Sequence, residues 1–262
     1  MKRKNKERLA RFGIFTKGVV YAIIGILTAM AAFNMGGKKS DSSGALHFLA
    51  QQSYGKILLG ITVLGLLAYV FWRFYQTFAD HENAGNDSKG IAQRLGYFVS
   101  GLIYGFIAYS AIKIMLDAGS SSSGGKRDMI SKVLEKEYGQ ILVGVLGLIL
   151  AGNAVFQFYM AYSGKFREKL EESGLDSTKQ KILLRFGRIG FTARGIVGAI
   201  IAYLLLKSAW QASATDAGGK TQAFQFLENQ FGAIVLGVVA LGLVSYAIFM
   251  FIQARYRKMH IN

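Results

Sequence analysis

Hydrophobic residues along the 262-residue chain gather into six long blocks separated by polar segments. Crossing a hydrocarbon layer of about 30 Å takes roughly 20 mostly apolar residues, because a helix rises about 1.5 Å per residue. Each block reaches that length, and none alternates polar and apolar positions as the strands of a membrane barrel do. The pattern predicts an all-α integral membrane protein with six transmembrane helices, near residues 13–33, 55–79, 95–116, 139–163, 189–212 and 232–254.

The six blocks are three copies of one two-helix unit. The segments that open the first helix align at 11–18, 94–101 and 188–195, and each second helix begins with an aromatic residue followed by Gly-x4-Gly. Two crossings return the chain to its starting side, so the units share one orientation. We expect a pseudo-threefold bundle, with a linear row as the alternative. The repeats are predicted at 9–80, 92–163 and 186–257, which together form one membrane domain.

Between the two helices of each unit lies a flexible Gly/Ser-rich outer loop, at 36–44, 118–125 and 213–219. Each loop leads into a short stretch whose apolar residues follow helical spacing. That pattern favours short interfacial helices on the outer side. The apolar residues are Ala45, Leu46, Phe48 and Leu49, then Met129, Ile130, Val133 and Leu134, then Ala223, Phe224, Phe226 and Leu227.

The net charge of +16 would suggest nucleic acid in a soluble protein, but here its distribution indicates membrane sidedness. Of the 31 Lys and Arg residues, 19 lie in the N-terminal arm, segments 80–94 and 164–188, and the tail, whereas eight lie in the opposite loops. Positive residues stay on the cytoplasmic side, so both termini are predicted to be cytoplasmic. The first block could be read as a signal peptide, but its recurrence as a membrane helix predicts that it is retained.

Several segments resemble a known family. They are 188–195, the Gly-Ala-Leu of 44–46, the Tyr-Gly-Lys-Ile-Leu-Leu-Gly of 54–60, and the spacing from Tyr69 through Trp72 and Arg73 to Gln76 and Asp80. Together they are similar to the bacterial membrane-protein family called domain of unknown function 1206. The resemblance implies three tandem units in a bacterial cytoplasmic (inner) membrane, and it supplies no reaction. The copies also differ, because Ser100 stands where the third has Arg194, and Gln157 and Met250 stand where the first has Arg73.

Five basic residues inside the predicted helices are candidates for a solute path. Lys17 and Arg194 align just inside the cytoplasmic ends of the first and fifth helices, and Arg73 lies on the same side. Lys113 and Lys207 align near the outer ends of the third and fifth helices. One interpretation is that these side chains anchor the helices by extending to the headgroups. The other is that they place positive charge at both ends of a central path for an anion.

Two further sets of polar residues are candidate sites. Asn153 falls well inside the fourth helix, where its aligned partners are Tyr69 and Tyr246, and it could form an interhelical hydrogen bond or contact a ligand. A basic inner segment offers a contact for anionic lipid headgroups or a protein partner. Its candidate residues are Lys165, Lys169, Lys179 and Lys181.

Catalytic and cofactor signals are weak. The chain has no cysteine, and its three histidines fall in predicted loops, interfacial stretches or the tail, so no metal site is predicted. Segment 218–221 resembles the end of a phosphate loop, but Ala214 occupies the required first glycine position. No cofactor, enzyme activity or nucleic-acid partner is indicated.

The sequence favours a channel or transporter for a small solute, an anion in preference to a cation. The alternative is a non-transporting scaffold that binds anionic lipid or a protein partner, and a homo-oligomer stays open.

Overall fold

The computed structural model describes residues 3–79, 88–116, 125–164, 177–213 and 217–256. These residues form helices joined by short connections, because a backbone surrounded by lipid must pair its own N–H and C=O groups. The helices are α1 (Arg3–Ala32), α2 (Ser42–Ala50), α3 (Gly55–Phe78), α4 (Ser88–Leu116), α5 (Gly125–Leu134), α6 (Gly139–Ser163), α7 (Ser177–Trp210) and α8 (Lys220–Tyr256).

Six of these helices, α1, α3, α4, α6, α7 and α8, are long and apolar enough to cross a membrane. This finding confirms the predicted all-α membrane fold. The first helix of each repeat starts well before its predicted span, because the polar residues ahead of the apolar block continue the helix. In α1, for example, the helix begins at Arg3 rather than near residue 13.

A short helix precedes the second span of each repeat. In α2 the Asp41 carboxylate caps the first turn by accepting a hydrogen bond from the backbone N–H of Gly44 at 3.0 Å. In the third repeat the short helix runs into the span as one element, α8, interrupted at Gly232 (φ 84°, ψ 168°), where glycine tolerates the positive φ. The buried apolar residues of these stripes are Ala45, Leu46, Leu49, Ala223, Phe224 and Leu227. The stripes of the first and third repeats therefore pack inward, whereas Ile130, Val133 and Leu134 of the second are partly buried and the Met129 side chain is not described. A place in the outer interface stays a prediction.

The spanning helices pack in one continuous order, and both ends of that order belong to the second repeat. Within the first and third repeats the two spans pack together, α1 with α3 and α7 with α8. Between repeats, α3 packs on α4, α6 on α7, and α8 returns to α1. The resulting order is α4, α3, α1, α8, α7, α6.

The three junctions between repeats use one kind of contact. In each, a phenylalanine from the second span of one repeat lies on a glycine in the first span of the next. The absence of a side chain lets the ring approach the backbone closely, which is how helices gain packing energy in lipid. The pairs are Phe74 on Gly101, Phe158 on Gly195 and Phe251 on Gly18.

The second repeat lacks the close packing between its own spans that the other two repeats have, because α4 and α6 are not among the extensively packed helix pairs. A Cβ on Gly13 would lie 2.5 Å from the backbone N of Tyr69, and one on Gly190 would lie 2.6 Å from Cα of Tyr246. A Cβ on Gly96, at the equivalent position of α4, would have no described neighbour within 4 Å. The helices thus form an incomplete ring with an opening in the second repeat. The predicted pseudo-threefold symmetry of the whole bundle stays a prediction.

Candidate functional site

Lys17 is a buried cation near the middle of α1. Only 4% of its surface is exposed, and its Nζ donates a hydrogen bond to the Tyr69 hydroxyl at 3.0 Å. Its ammonium group therefore points into the protein, and headgroup anchoring does not describe this residue.

Aromatic rings surround the Lys17 ammonium. Its Nζ lies 5.0 Å from the ring centroids of both Tyr69 and Tyr104, and 5.6 Å from that of Tyr246. A desolvated cation over an aromatic face gains about 0.5–2 kcal/mol per contact. Three helices other than α1, namely α3, α4 and α8, supply these rings.

Arg73 hydrogen-bonds to the same tyrosine from one turn further along α3. Its Nε donates to the Tyr69 hydroxyl at 2.8 Å, and its Nη1 donates to Oε1 of Gln76 at 2.9 Å. The guanidinium also lies over the Tyr97 ring, 5.1 Å from its centroid. The Tyr69 hydroxyl consequently accepts hydrogen bonds from two cations at once.

Arg194 and Lys220 extend this arrangement through the third repeat. The Arg194 guanidinium lies 4.3 Å from the centroid of Tyr246 and 5.3 Å from that of Tyr21. Lys220 Nζ lies 4.4 Å from the same Tyr21 ring. The rings of Tyr21 and Tyr246 meet edge to face at 4.9 Å. We call these contacting residues the central cluster: Lys17, Tyr21, Tyr69, Arg73, Tyr104, Arg194, Lys220 and Tyr246.

All three repeats contribute to the central cluster, and most of its members occupy positions that align between repeats. The aligned sets are Lys17, Ser100 and Arg194; Tyr21, Tyr104 and Gly198; Tyr69, Asn153 and Tyr246; and Arg73, Gln157 and Met250. The second repeat contributes a tyrosine but no cation. Its copies of the basic positions are Ser100 and Gln157, so the positive charge comes from the first and third repeats.

No carboxylate among the described residues pairs with Lys17 or Arg194. The ion pairs found between described residues are Glu7 with Arg11 and Lys39 with Glu228. Removing a cation from water is costly unless other groups compensate. Here phenol oxygens and ring faces compensate in part, and an anion would add the missing opposite charge. The cluster is thus chemically suited to bind an anion.

The remaining candidates for a solute path lie away from the central cluster. Lys113 is exposed on the same face of α4 as Leu102, Phe106 and Tyr109, in the last turn of that helix. Lys207 lies in the last turn of α7, about 20 Å along the helix from Arg194. A cation near a helix C-terminus is stabilised by the helix dipole. The structure therefore brings together Lys17, Arg73 and Arg194 and leaves these two lysines in the last turns of their helices.

Asn153 is exposed on α6, and its Oδ1 accepts a hydrogen bond from Gln157 Nε2 at 3.1 Å. The bond lies within one helix, so the predicted hydrogen bond between helices is not formed by this contact. Gln157 itself is buried, and its Oε1 has no donor among the described residues.

Of the basic residues predicted to contact lipid or a partner, Lys181 is exposed on α7. Lys165 and Lys169 lie outside the described residues, and the Lys179 side chain is not described. Their role stays a prediction.

The tyrosines and Lys220 are site residues that the sequence pattern alone does not single out. A signal is present for the tyrosines, because Tyr21 aligns with Tyr104 and Tyr69 with Tyr246 inside predicted spans. Lys220 falls beside the predicted outer loop, and its reach to Tyr21 depends on how α8 folds inward.

In the described residues, no three His, Asp or Glu side chains are grouped as metal ligands would be.

Comparison with known proteins agrees with the three repeats. The family profile described as Domain of Unknown Function (DUF1206) matches three times, at residues 12–80, 95–164 and 189–257. The chain is 32% identical over 254 residues to a Bacillus subtilis (strain 168) protein described as "Uncharacterized protein YxxB", covering 97% of this chain and 92% of that protein. No solved structure matches significantly. The three matches extend over most of the chain, which therefore belongs to the Domain of Unknown Function (DUF1206) family.

Proposed function

We propose that this multi-pass membrane protein is a channel or transporter for an anionic solute, with the central cluster as its binding site. The observation that carries the proposal is the buried Lys17 ammonium, held by Tyr69 midway along its helix with no carboxylate among its described contacts. A buried charge is expensive to keep, and cations inside membrane spans commonly mark substrate or ion pathways.

The cluster offers an anion both charge and hydrogen bonds. Lys17 and Arg194 supply positive charge, and the phenol groups around them can turn their O–H donors toward a bound anion. Tyr69, Tyr104 and Tyr246 are each less than one tenth exposed, so the centre is closed in this conformation. Passage of a solute therefore requires at least one of these rings to move.

The cellular setting follows from the charge distribution. We place the protein in a bacterial cytoplasmic membrane with both termini inside, because the basic segments between repeats all lie on the side of the termini. The anion would then meet Arg73 on the inner side of the cluster and Lys220 on the outer side.

Purified protein in liposomes tests this proposal. Efflux of chloride, phosphate and acetate should depend on the protein, whereas efflux of potassium should not. The variants Lys17→Met and Arg194→Gln should each lower anion flux by about tenfold or more, because each removes a charge from a low-dielectric site. The matched control Lys113→Gln removes an exposed cation and should change flux by less than about twofold.

Circular dichroism and size-exclusion profiles would establish that the variants are folded. Equal flux in all three variants would contradict the proposed site, and no anion flux by the parent protein would contradict transport of small soluble anions.

A further inference from the structure

The opening between α4 and α6 has a cause in the size of the residues that line it. In the first repeat the side chain of Thr16 in α1 packs against Gly65, and in the third repeat the side chain of Ala193 in α7 packs against Gly242. The second repeat has Ile149 and Val99 at these two positions. Two β-branched side chains replace pairs that include a glycine, so the spans cannot approach as closely as in the other repeats.

The α6 face left uncovered by this separation is apolar. Its equivalents in α3 are all buried, at Thr62, Gly65, Tyr69, Trp72 and Gln76. On α6 the corresponding side chains of Leu146, Ile149 and Phe156 are 44%, 50% and 53% exposed. Leu146, Phe156 and Met160 replace Thr62, Trp72 and Gln76, so the uncovered face is less polar than its covered counterpart. We call the opening lined by Gly96, Val99, Leu146, Ile149, Asn153 and Phe156 the second-repeat cleft.

The cleft lies beside the central cluster. Its α4 wall carries Tyr104, which packs on Tyr69 with ring centroids 4.6 Å apart and also lies against the Lys17 ammonium. Its α6 wall carries Asn153 at the position that aligns with Tyr69 and Tyr246. Tyr104 therefore connects the α4 wall of the cleft to the Lys17 ammonium. Gln157, with its unpartnered buried Oε1, lies one helical turn from Asn153 and offers a further polar group.

These features together fit one class of occupant. A water-soluble anion gains nothing from an apolar wall that opens toward lipid, and a neutral lipid gains nothing from a buried cation. An amphiphile with a hydrocarbon chain and an anionic head uses both, because its chain can stay in the apolar cleft while its head meets Lys17 and Arg194.

We propose that the second-repeat cleft admits an anionic lipid laterally from the bilayer, with the acyl chains between α4 and α6 and the headgroup at the central cluster. This inference rests on the proposed function for the anion site, and it names the substrate class. It does not require flux of a soluble ion.

Lipid photolabelling tests the occupant. The protein is placed in nanodiscs that contain phosphatidylglycerol with a diazirine on the acyl chain, or the matching phosphatidylcholine probe. Phosphatidylglycerol should label Val99, Ile149 and Phe156 about fivefold more than the exposed residues Leu64 and Leu67 of α3. Lys17→Met should remove that preference. Equal labelling by the two lipids, or cross-linking of the cleft to a second copy of the chain, would overturn the proposal.

A cross-link tests whether the cleft must open. Because the chain has no cysteine, a Val99→Cys/Ile149→Cys pair can be bridged selectively with a bifunctional maleimide. The control pair Gly144→Cys/Ala209→Cys bridges α6 and α7, which already touch. The first bridge should lower transbilayer movement of fluorescent phosphatidylglycerol by about tenfold or more, and the control should not. Unchanged movement after bridging at 99 and 149 would contradict lateral entry.

The two proposals fail separately. Soluble-anion flux without preferential lipid labelling would overturn the lipid substrate and leave the anion site in place. Preferential labelling that depends on Lys17, without soluble-anion flux, would support the lipid and overturn transport of small solutes. If neither is observed, the anion site itself is wrong.

Discussion

The first and second repeats share one sequence pattern and differ in how their two spans meet. In the first, Gly13 lies against Tyr69 and the spans are packed, whereas Gly96 of the second has open space around it. The aligned residues show that a common motif does not guarantee a common contact. A glycine permits close approach only if the partner helix also provides room, and Ile149 does not.

The largest effect on stability should come from placing a side chain at the glycine contacts between the two spans of the first and third repeats. Gly13→Leu or Gly190→Leu should lower the free energy of unfolding by about 3 kcal/mol, because the new side chain collides with a tyrosine backbone that cannot move alone. Gly96→Leu should leave it unchanged or raise it by up to about 1 kcal/mol through helix propensity. Unfolding in mixed micelles measures all three. A comparable loss at Gly96 would contradict the open second repeat.

The three phenylalanine–glycine junctions between repeats should contribute equally to stability. Phe74→Ala, Phe158→Ala and Phe251→Ala should each cost about 2 kcal/mol, less than for a fully buried ring because these side chains are partly exposed. The same unfolding assay compares them. If Phe158→Ala costs far less than the other two, the second repeat differs at its junction as well as within the unit.

The smallest effect concerns the position shared by Tyr69 and Asn153. Tyr69→Phe removes the acceptor of two cations and should cost about 1 kcal/mol, a typical size for an intramembrane hydrogen bond. Asn153→Leu removes one bond within a helix and should change stability by less than about 0.5 kcal/mol. A double variant in which Lys17→Met accompanies Tyr69→Phe should show non-additive losses. Additive losses would mean that Lys17 and Tyr69 are not coupled.

Much of the fold could be predicted from the sequence, because length and apolar content define a membrane span without tertiary information. The six spans, the three repeats and the family are confirmed. The position of the α8 break at Gly232 also coincides with the predicted start of the sixth span. The opening in the second repeat has a sequence signal as well, since Val99 and Ile149 align with small residues elsewhere.

The central cluster could be predicted only in part. Lys17, Arg73 and Arg194 are identifiable from their place inside spans, but the sequence places Lys17 at a cytoplasmic helix end, where a long side chain reaches water. Its burial depends on Tyr69, Tyr104 and Tyr246, which come from three other helices. Such a cage is a property of the packing order, and no local pattern encodes it.

The α1–α8 junction lies opposite the cleft in the order of the helices, and contacts fasten it at both ends. At one end Arg11 Nη1 donates to the Ala254 carbonyl at 2.8 Å, and at the other Lys39 pairs with Glu228. Mechanically, the described helices are held together along the α1–α8 junction and can separate at the second-repeat cleft. Widening the cleft must bend the helices of that junction or slide their neighbours past them. We therefore expect the width of the cleft to respond to lateral tension in the bilayer.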